Sequence, residues 1–304
     1  MPPFYNQPSF ARHLDAHGIS WRWYSSDVGT LRMTDELYCL GHHDKFAYFT
    51  TTGLPWKARL NWRVQADIPT FLEDAAAGTL PSVSWIDPSF GNFNPLGVLQ
   101  NDDHPPADIK NGQDLVLAVY HAVATGPQWD KTLLVIFYDE HGGFFDHVPP
   151  PAAKDDDLKM FGRYGVRVPA IIVSPWVPPR SVSKTLFDHT SVIKTILLRF
   201  CGEDLERGDR RDRLAGWLRA GHPHYLGRRV AHANDLGELL TNPTPRPAPA
   251  HDGLIAAASA RAEESDGAHV EERTPDRRHS TDLQRDMAAA ARVLKGRGHP
   301  AGRP

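Results

Sequence analysis

Only two cysteines, Cys39 and Cys201, occur in 304 residues, and they sit in no CxxC arrangement. That scarcity argues against a zinc ribbon or a disulfide framework and leaves a single bridge open. No apolar run approaches the roughly 20 residues that cross a bilayer, so no transmembrane segment is expected. The N-terminus, MPPFYNQPSF, has no basic stretch followed by an apolar core, so no signal peptide is visible and localisation stays open. A formal net charge of −3 gives no electrostatic case for nucleic acid. Several motifs are also missing. There is no GxSxG nucleophile elbow, no phosphate-cradling P-loop, no dinucleotide-binding GxGxxG and no HExxH. These absences leave a metal-dependent phosphoester or sulfate ester hydrolase as the natural setting for any cluster of acids and histidines.

What is present reads as an α/β layered fold, a mostly parallel sheet flanked by helices. Helices are expected over 9–17, closed by Gly18, and over 66–77 with Asp67 as a candidate N-cap. The best amphipathic helix is 112–125, where Leu115, Val119, Ala122 and Val123 recur at helical spacing before Gly126-Pro127. A further helix over 190–200 opens at Asp188. Short apolar runs at 82–86, 133–137 and 170–174 read as strands, with ligand chemistry expected at their carboxyl edge. The aromatic residues Trp21, Trp23 and Tyr24 read as core packing rather than as a cage for a quaternary ammonium. From 242 the composition turns to Pro, Ala and charge, with too little apolar surface to offset ordering entropy. Residues 1–241 therefore read as one domain and 242–304 as a disordered tail.

The run from Leu133 to Pro151, LLVIFYDEHGGFFDHVPPP, carries the most chemistry. An apolar strand leads directly into Asp139 and Glu140, followed by His141, two glycines, and the pair Asp146 and His147. Carboxylates and imidazoles at the end of a buried strand are what a divalent-metal or phosphate site needs. Gly142 and Gly143 allow a sharp turn and a close approach to a ligand.

YDEHGGFFDHVPPP resembles the signature of the phosphoesterase family that includes bacterial and plant non-specific phospholipases C and a group of acid phosphatases. ISWRWY, HHDKFAYF, DDHPPAD, GVRVPAIIVSPWV, FDHTSVIKTI and LGRRVAHANDL follow in family order, over roughly 9–240. The resemblance implies the alkaline-phosphatase-like superfold. It makes Asp139 and Glu140 ligands of one divalent metal ion, with Ca, Mg or Mn equally open. His104, in DDHPP, would contact the phosphoryl group or protonate the leaving oxygen, and His43, in HHDKF, would be a second phosphate-contacting histidine. His141 would touch the metal or orient a group that does, and Asp146 and His147 would orient those groups. Asp188 and His189 read first as a helix N-cap and its neighbour, with a supporting role at the site as the alternative. The implied substrate is a phospholipid or small phosphoester, with peripheral membrane contact open and no nucleic acid.

The family's Glu-Asn-Arg-Ser-Phe-Asp-His metal motif and its Ser or Thr nucleophile belong to a long N-terminal portion. Neither has a counterpart in residues 1–40. The expectation is thus an N-terminally shortened domain with an incomplete site. A phospholipase C-type hydrolase leads. An acid phosphatase of the same family and a non-catalytic binding scaffold stand as alternatives.

Overall fold

Alternation along WRWYS sets the architecture. In a computed structural model, which describes residues 7–25, 29–51, 68–90, 100–201 and 227–248, strand β1 (Trp21–Ser25) is central. It pairs in parallel with β2 (Phe46–Tyr48) on one side and β3 (Val83–Asp87) on the other. Trp23 lies level with both Phe46 and Trp85. Successive strand side chains point to opposite faces, so the two faces bury different sets. Trp21, Phe46 and Val83 pack with Ala11 and Leu14 of α1 (Phe10–Ala16) and with Leu31 and Cys39 of the short α2 (Leu31–Thr34) and α3 (Glu36–Leu40). Tyr24 and Ala47 face the other way, onto α4 (Phe71–Ala77) and α5 (Ile109–Thr125). The parallel sheet with helices on both faces agrees with the expected α/β class, and Trp21 and Tyr24 are core residues.

Helix boundaries follow their caps. The spacing predicts a start at 66–67, which lies outside the described residues. Within them α4 begins at Phe71, because Thr70 Oγ1 accepts from Glu73 N at 3.2 Å while Glu73 Oε2 accepts from Thr70 N at 2.8 Å. Helix α5 begins three residues before the expected Gly112, at the Asp108 cap. Asp74 of α4 is buried and accepts from Tyr24 Oη at 2.7 Å, Arg22 Nη1 at 2.5 Å and Thr79 Oγ1 at 2.6 Å. Burial, reinforced by that bond, pushes the Tyr24 hydroxyl above its ordinary value.

A second buried acid joins α1 to α3. Asp35 Oδ2 accepts from Ser9 N at 2.9 Å and Arg12 Nε at 2.7 Å. Burial alone would raise this carboxyl, but the Arg12 guanidinium and the Ser9 N–H outweigh it and hold it below the carboxylate range. A depressed folded value stabilises above the unfolded value, about pH 3.9, and the effect is lost as pH falls through the folded value. Asp35→Asn is therefore expected to cost about 1–3 kcal/mol at pH 7. That difference should shrink in urea melts run at progressively lower pH below about 4. A gap that is constant with pH would contradict this.

Strands β4 (Leu134–Phe137) and β5 (Ala170–Val173) form a separate pair, and the pair is antiparallel, with Leu134 opposite Val173 and Phe137 opposite Ala170. This departs from the parallel arrangement that alternating strands and helices suggest. The 138–169 connection contains only the four-residue α6 (Leu158–Phe161), too short to act as a βαβ crossover helix. Leu134 and Val173 still pack against the α4–α5 core, so the pair flanks the parallel sheet across a shared cluster. Helix α7 (His189–Phe200) covers the α1 side through Ile196 and Phe200, and Lys194 Nζ donates to the carbonyls of Ala231 and Ala233 near α8 (Arg228–His232).

The first seven residues of the segment expected to be a tail, 242–248, run along 174–177. Asn242 N donates to the Trp176 carbonyl at 2.9 Å, Arg246 N to the Pro175 carbonyl at 3.1 Å, and Trp129 Nε1 to the Arg246 carbonyl at 3.1 Å. A proline-rich extended chain has no internal backbone pairing, and here its polar groups are satisfied from outside the segment. Cys39 and Cys201 are not joined in a disulfide.

Candidate active site

Strand β4 delivers Asp139 and Glu140 one and two residues after Tyr138, at the edge where the layered pattern places ligand chemistry. Gly142 (φ +65°) and Gly143 (φ +79°) take the left-handed conformation, and Gly142 N returns to donate to Glu140 Oε2 at 2.7 Å. The other carboxylate oxygen, Glu140 Oε1, stands 3.3 Å from His104 Nε2. His104 Nδ1 lies 2.7 Å from the Pro105 carbonyl, which can only accept, so this nitrogen carries a hydrogen. The ring is thus held by Nδ1, and Nε2 stands beside the Glu140 carboxylate.

The loop bearing His104 is pinned on two sides. Tyr138 Oη donates to Asp103 Oδ2 at 2.5 Å; that bond, then burial, pushes the Tyr138 hydroxyl up to about 12. Gly112 of α5 lies directly beneath: a Cβ there would fall 1.9 Å from Asp103 Oδ1, so the close approach requires glycine.

Asp139 is exposed and accepts no hydrogen bond from the described residues. Its charge reaches Asp87, the last residue of β3. Asp87 Oδ2 accepts from Trp23 Nε1 at 2.7 Å, Thr30 N at 2.7 Å and Thr30 Oγ1 at 2.8 Å. Burial raises the Asp87 carboxyl, the Thr30 and Trp23 bonds oppose the rise, and Asp139 adds to it. A buried carboxyl raised by a neighbouring carboxylate is a setting a divalent cation relieves, and an all-oxygen donor set suits Ca, Mg or Mn. The residues present therefore fit a hard cation.

The remaining expected residues divide. His189 Nε2 donates to the Tyr138 carbonyl at 2.9 Å and its ring lies against Phe137, which ties α7 to the backbone just before Asp139. Asp188 caps α7, accepting from Thr190 N and Ser191 N. Its Oδ2 also lies 4.0 Å from Arg229. Asp146 takes a two-pronged bond from Arg167 at 2.7 and 2.9 Å, which holds its carboxyl well below the usual range. His147 is exposed, 3.6 Å from Asp146, and His141 Nδ1 donates to the Phe144 carbonyl at 2.9 Å. His43 lies elsewhere. It opens the 3₁₀ turn at the N-terminal end of β2, whereas Asp87 ends β3, a parallel neighbour of β1. Burial, then the Arg32 charge, lowers the His43 pKa. The structure thus brings together His104, Glu140, Asp139 and His189 and sets His43 apart from them.

Sequence reasoning misses Asp87, Asp103 and Tyr138. Asp87 ends the strand VSWID and Asp103 adjoins His104, positions that could have signalled them. It also misses Phe144 and Phe145, which are 69% and 92% exposed beside the two glycines. A single exposed apolar side chain is ordinary; two adjacent phenyl rings on a site loop form an apolar patch.

Comparison with known proteins bears on the family rather than on single residues. Over 144 residues the chain is 43% identical to non-specific phospholipase C6 of Arabidopsis thaliana, covering 41% of this chain and 27% of the relative. It is 32% identical over 235 residues to the non-hemolytic phospholipase C of Burkholderia pseudomallei, covering 64% and 32%. It is 36% identical over 210 residues to phospholipase C A of Mycobacterium tuberculosis, covering 62% and 38%. The chain thus spans between about a quarter and two-fifths of these relatives' lengths. The profile of the phosphoesterase family matches residues 2–201, about two-thirds of the chain, and on that extent the protein belongs to the phosphoesterase family.

Proposed function

We propose that this chain acts in metal-dependent hydrolysis of phosphoric esters, of the phospholipase C type that releases diacylglycerol and a phospho-alcohol. The observation that carries the reading is the 3.3 Å approach of His104 Nε2 to Glu140 Oε1, beside the exposed Asp139 carboxylate. Asp139 and Glu140, with Asp87 behind them, would hold the cation. When bound, the cation polarises phosphoryl oxygens and offsets their charge. In the hydrolysis a water oxygen bonds to phosphorus as the bond to the alkoxide breaks; His104, with Nδ1 held by the Pro105 carbonyl, would give the alkoxide its proton from Nε2. Tyr138 and Gly112 hold the His104 loop against β4. His189, bonded to the Tyr138 carbonyl, holds α7 against the same turn. His43, in the turn before β2, is given no step in this reading.

The test is hydrolysis of p-nitrophenyl phosphorylcholine and p-nitrophenyl phosphate by the purified full chain, with and without chelator. Chelator-sensitive turnover of the diester would show that the chain holds a complete site, and no turnover by folded protein would show that it holds only part of one. Turnover confined to the monoester would favour the phosphatase alternative, and folded protein that binds phosphocholine without turnover would favour the scaffold.

Phe144 and Phe145 extend the reading to the lipid. A pair of exposed rings beside a phosphoester site is suited to enter the interface of a bilayer. Replacing both with serine should lower activity on phosphatidylcholine vesicles by about 10–100-fold, in line with partial burial of two phenyl rings, and leave a soluble diester unaffected. Equal losses on both substrates would remove the membrane role.

A further inference from the structure

Away from the phosphoester site, three soft donors converge. His13 and His17 lie four residues apart on and just past α1, with ring centroids 4.2 Å from each other. Cys201 stands at the end of α7, where its N–H bonds the Leu197 carbonyl. One ligand atom from each of the three lies within 4.8 Å of the others. Chain distance does not bring these residues together; packing does, because Ile196 and Phe200 of α7 seat against the cluster that contains Ala11 and Leu14 of α1.

The protonation pattern is already set on one ligand. His17 Nδ1 lies 2.9 Å from the His13 carbonyl, which only accepts, so Nδ1 carries a hydrogen and Nε2 is the nitrogen left to meet a metal. Metal-bound histidines are oriented in this way, with the second nitrogen donating to a carbonyl. The i, i+4 spacing places both imidazoles on one side of the helix.

We propose that His13, His17 and Cys201 form a binding site for one borderline-soft divalent ion of the zinc class, a clasp joining α1 to the end of α7. Two imidazoles and a thiolate suit zinc, and no carboxylate of the described residues joins the set, which sets it apart from the oxygen ligands at Asp139 and Glu140. Tetrahedral metal–ligand lengths imply ligand atoms about 3.3–3.6 Å apart, so side-chain rotation must close the cluster by about 1 Å. Binding forms two metal–nitrogen bonds and one metal–sulfur bond; the thiol proton passes to solvent and no oxidation state changes. Cys39 does not compete, since burial pushes its thiol up to about 12 within the core.

The untagged full chain, stripped by chelator and kept reduced, is titrated with cobalt and then zinc. One equivalent of cobalt should give a thiolate-to-metal charge-transfer band that zinc abolishes, with a rise in the thermal midpoint on zinc binding. Cys201→Ser should remove the band and weaken zinc by about 100-fold or more. His17→Asn should do the same, although its amide can still donate to the His13 carbonyl and so keep the helix end intact. Asp139→Asn should leave the band unchanged. Absence of the band in the native chain, or its survival in Cys201→Ser, would overturn the site.

Discussion

On the proposed function, His104→Gln should lower diester turnover by the full chain by about 10²–10⁴-fold, the range for removal of a positioned general acid. Glutamine keeps a hydrogen-bonding head near Glu140 Oε1 but has no transferable proton. The loss should depend on the leaving group. A p-nitrophenolate departs without protonation, so its hydrolysis falls least, whereas release of diacylglycerol from phosphatidylcholine falls most. Measured kcat on the two substrates separates the roles. If both fall equally, His104 holds the phosphoryl group instead of protonating the leaving oxygen; if neither falls, it has no part in the chemistry.

Asp74→Ala should be the most damaging change outside the site. It removes the shared acceptor of Tyr24 Oη, Arg22 Nη1 and Thr79 Oγ1, leaving a buried hydroxyl and a largely buried guanidinium without it. Removal of one member of a buried charged pair costs about 3–5 kcal/mol. Urea unfolding at pH 7 should show this as a lower midpoint with little change in slope. Asp74→Asn keeps an acceptor and should lose less. Equal losses for the two variants would mean that the volume of the side chain matters and its hydrogen bonds do not.

Much of the fold was legible in local pattern. The stripe of Leu115, Val119 and Val123 marked α5, because a helix repeats its buried face every three to four residues. Asp188 marked the start of α7 through its cap. The relation of β4 to β5 was not legible, since a four-residue apolar run has no signal for strand direction. The start of α4 was masked by Pro69, and the Thr70–Glu73 box decided it. At the site, Asp139 and Glu140 were adjacent and conspicuous. His104 was legible only through its family motif, and Asp87 was not legible at all: it ends another strand, and an isolated acid at a strand end looks like any solvated loop residue. His43 showed the converse, a motif histidine that the strand order sets apart from Asp139, Glu140, His104 and His189.

The contacts of 228–248 bear on how this protein can be cut for study. The family profile ends at residue 201, yet the structure is closed beyond it. A fragment that stops at the profile boundary would strip the Lys194 ammonium of two carbonyl acceptors and leave the Trp129 indole N–H without its partner. It would also bare the 174–177 backbone and remove Ala248 from the α4–α5 core. Inactivity or insolubility of such a fragment would report on the scissors, whereas a boundary placed after 248 leaves these contacts in place.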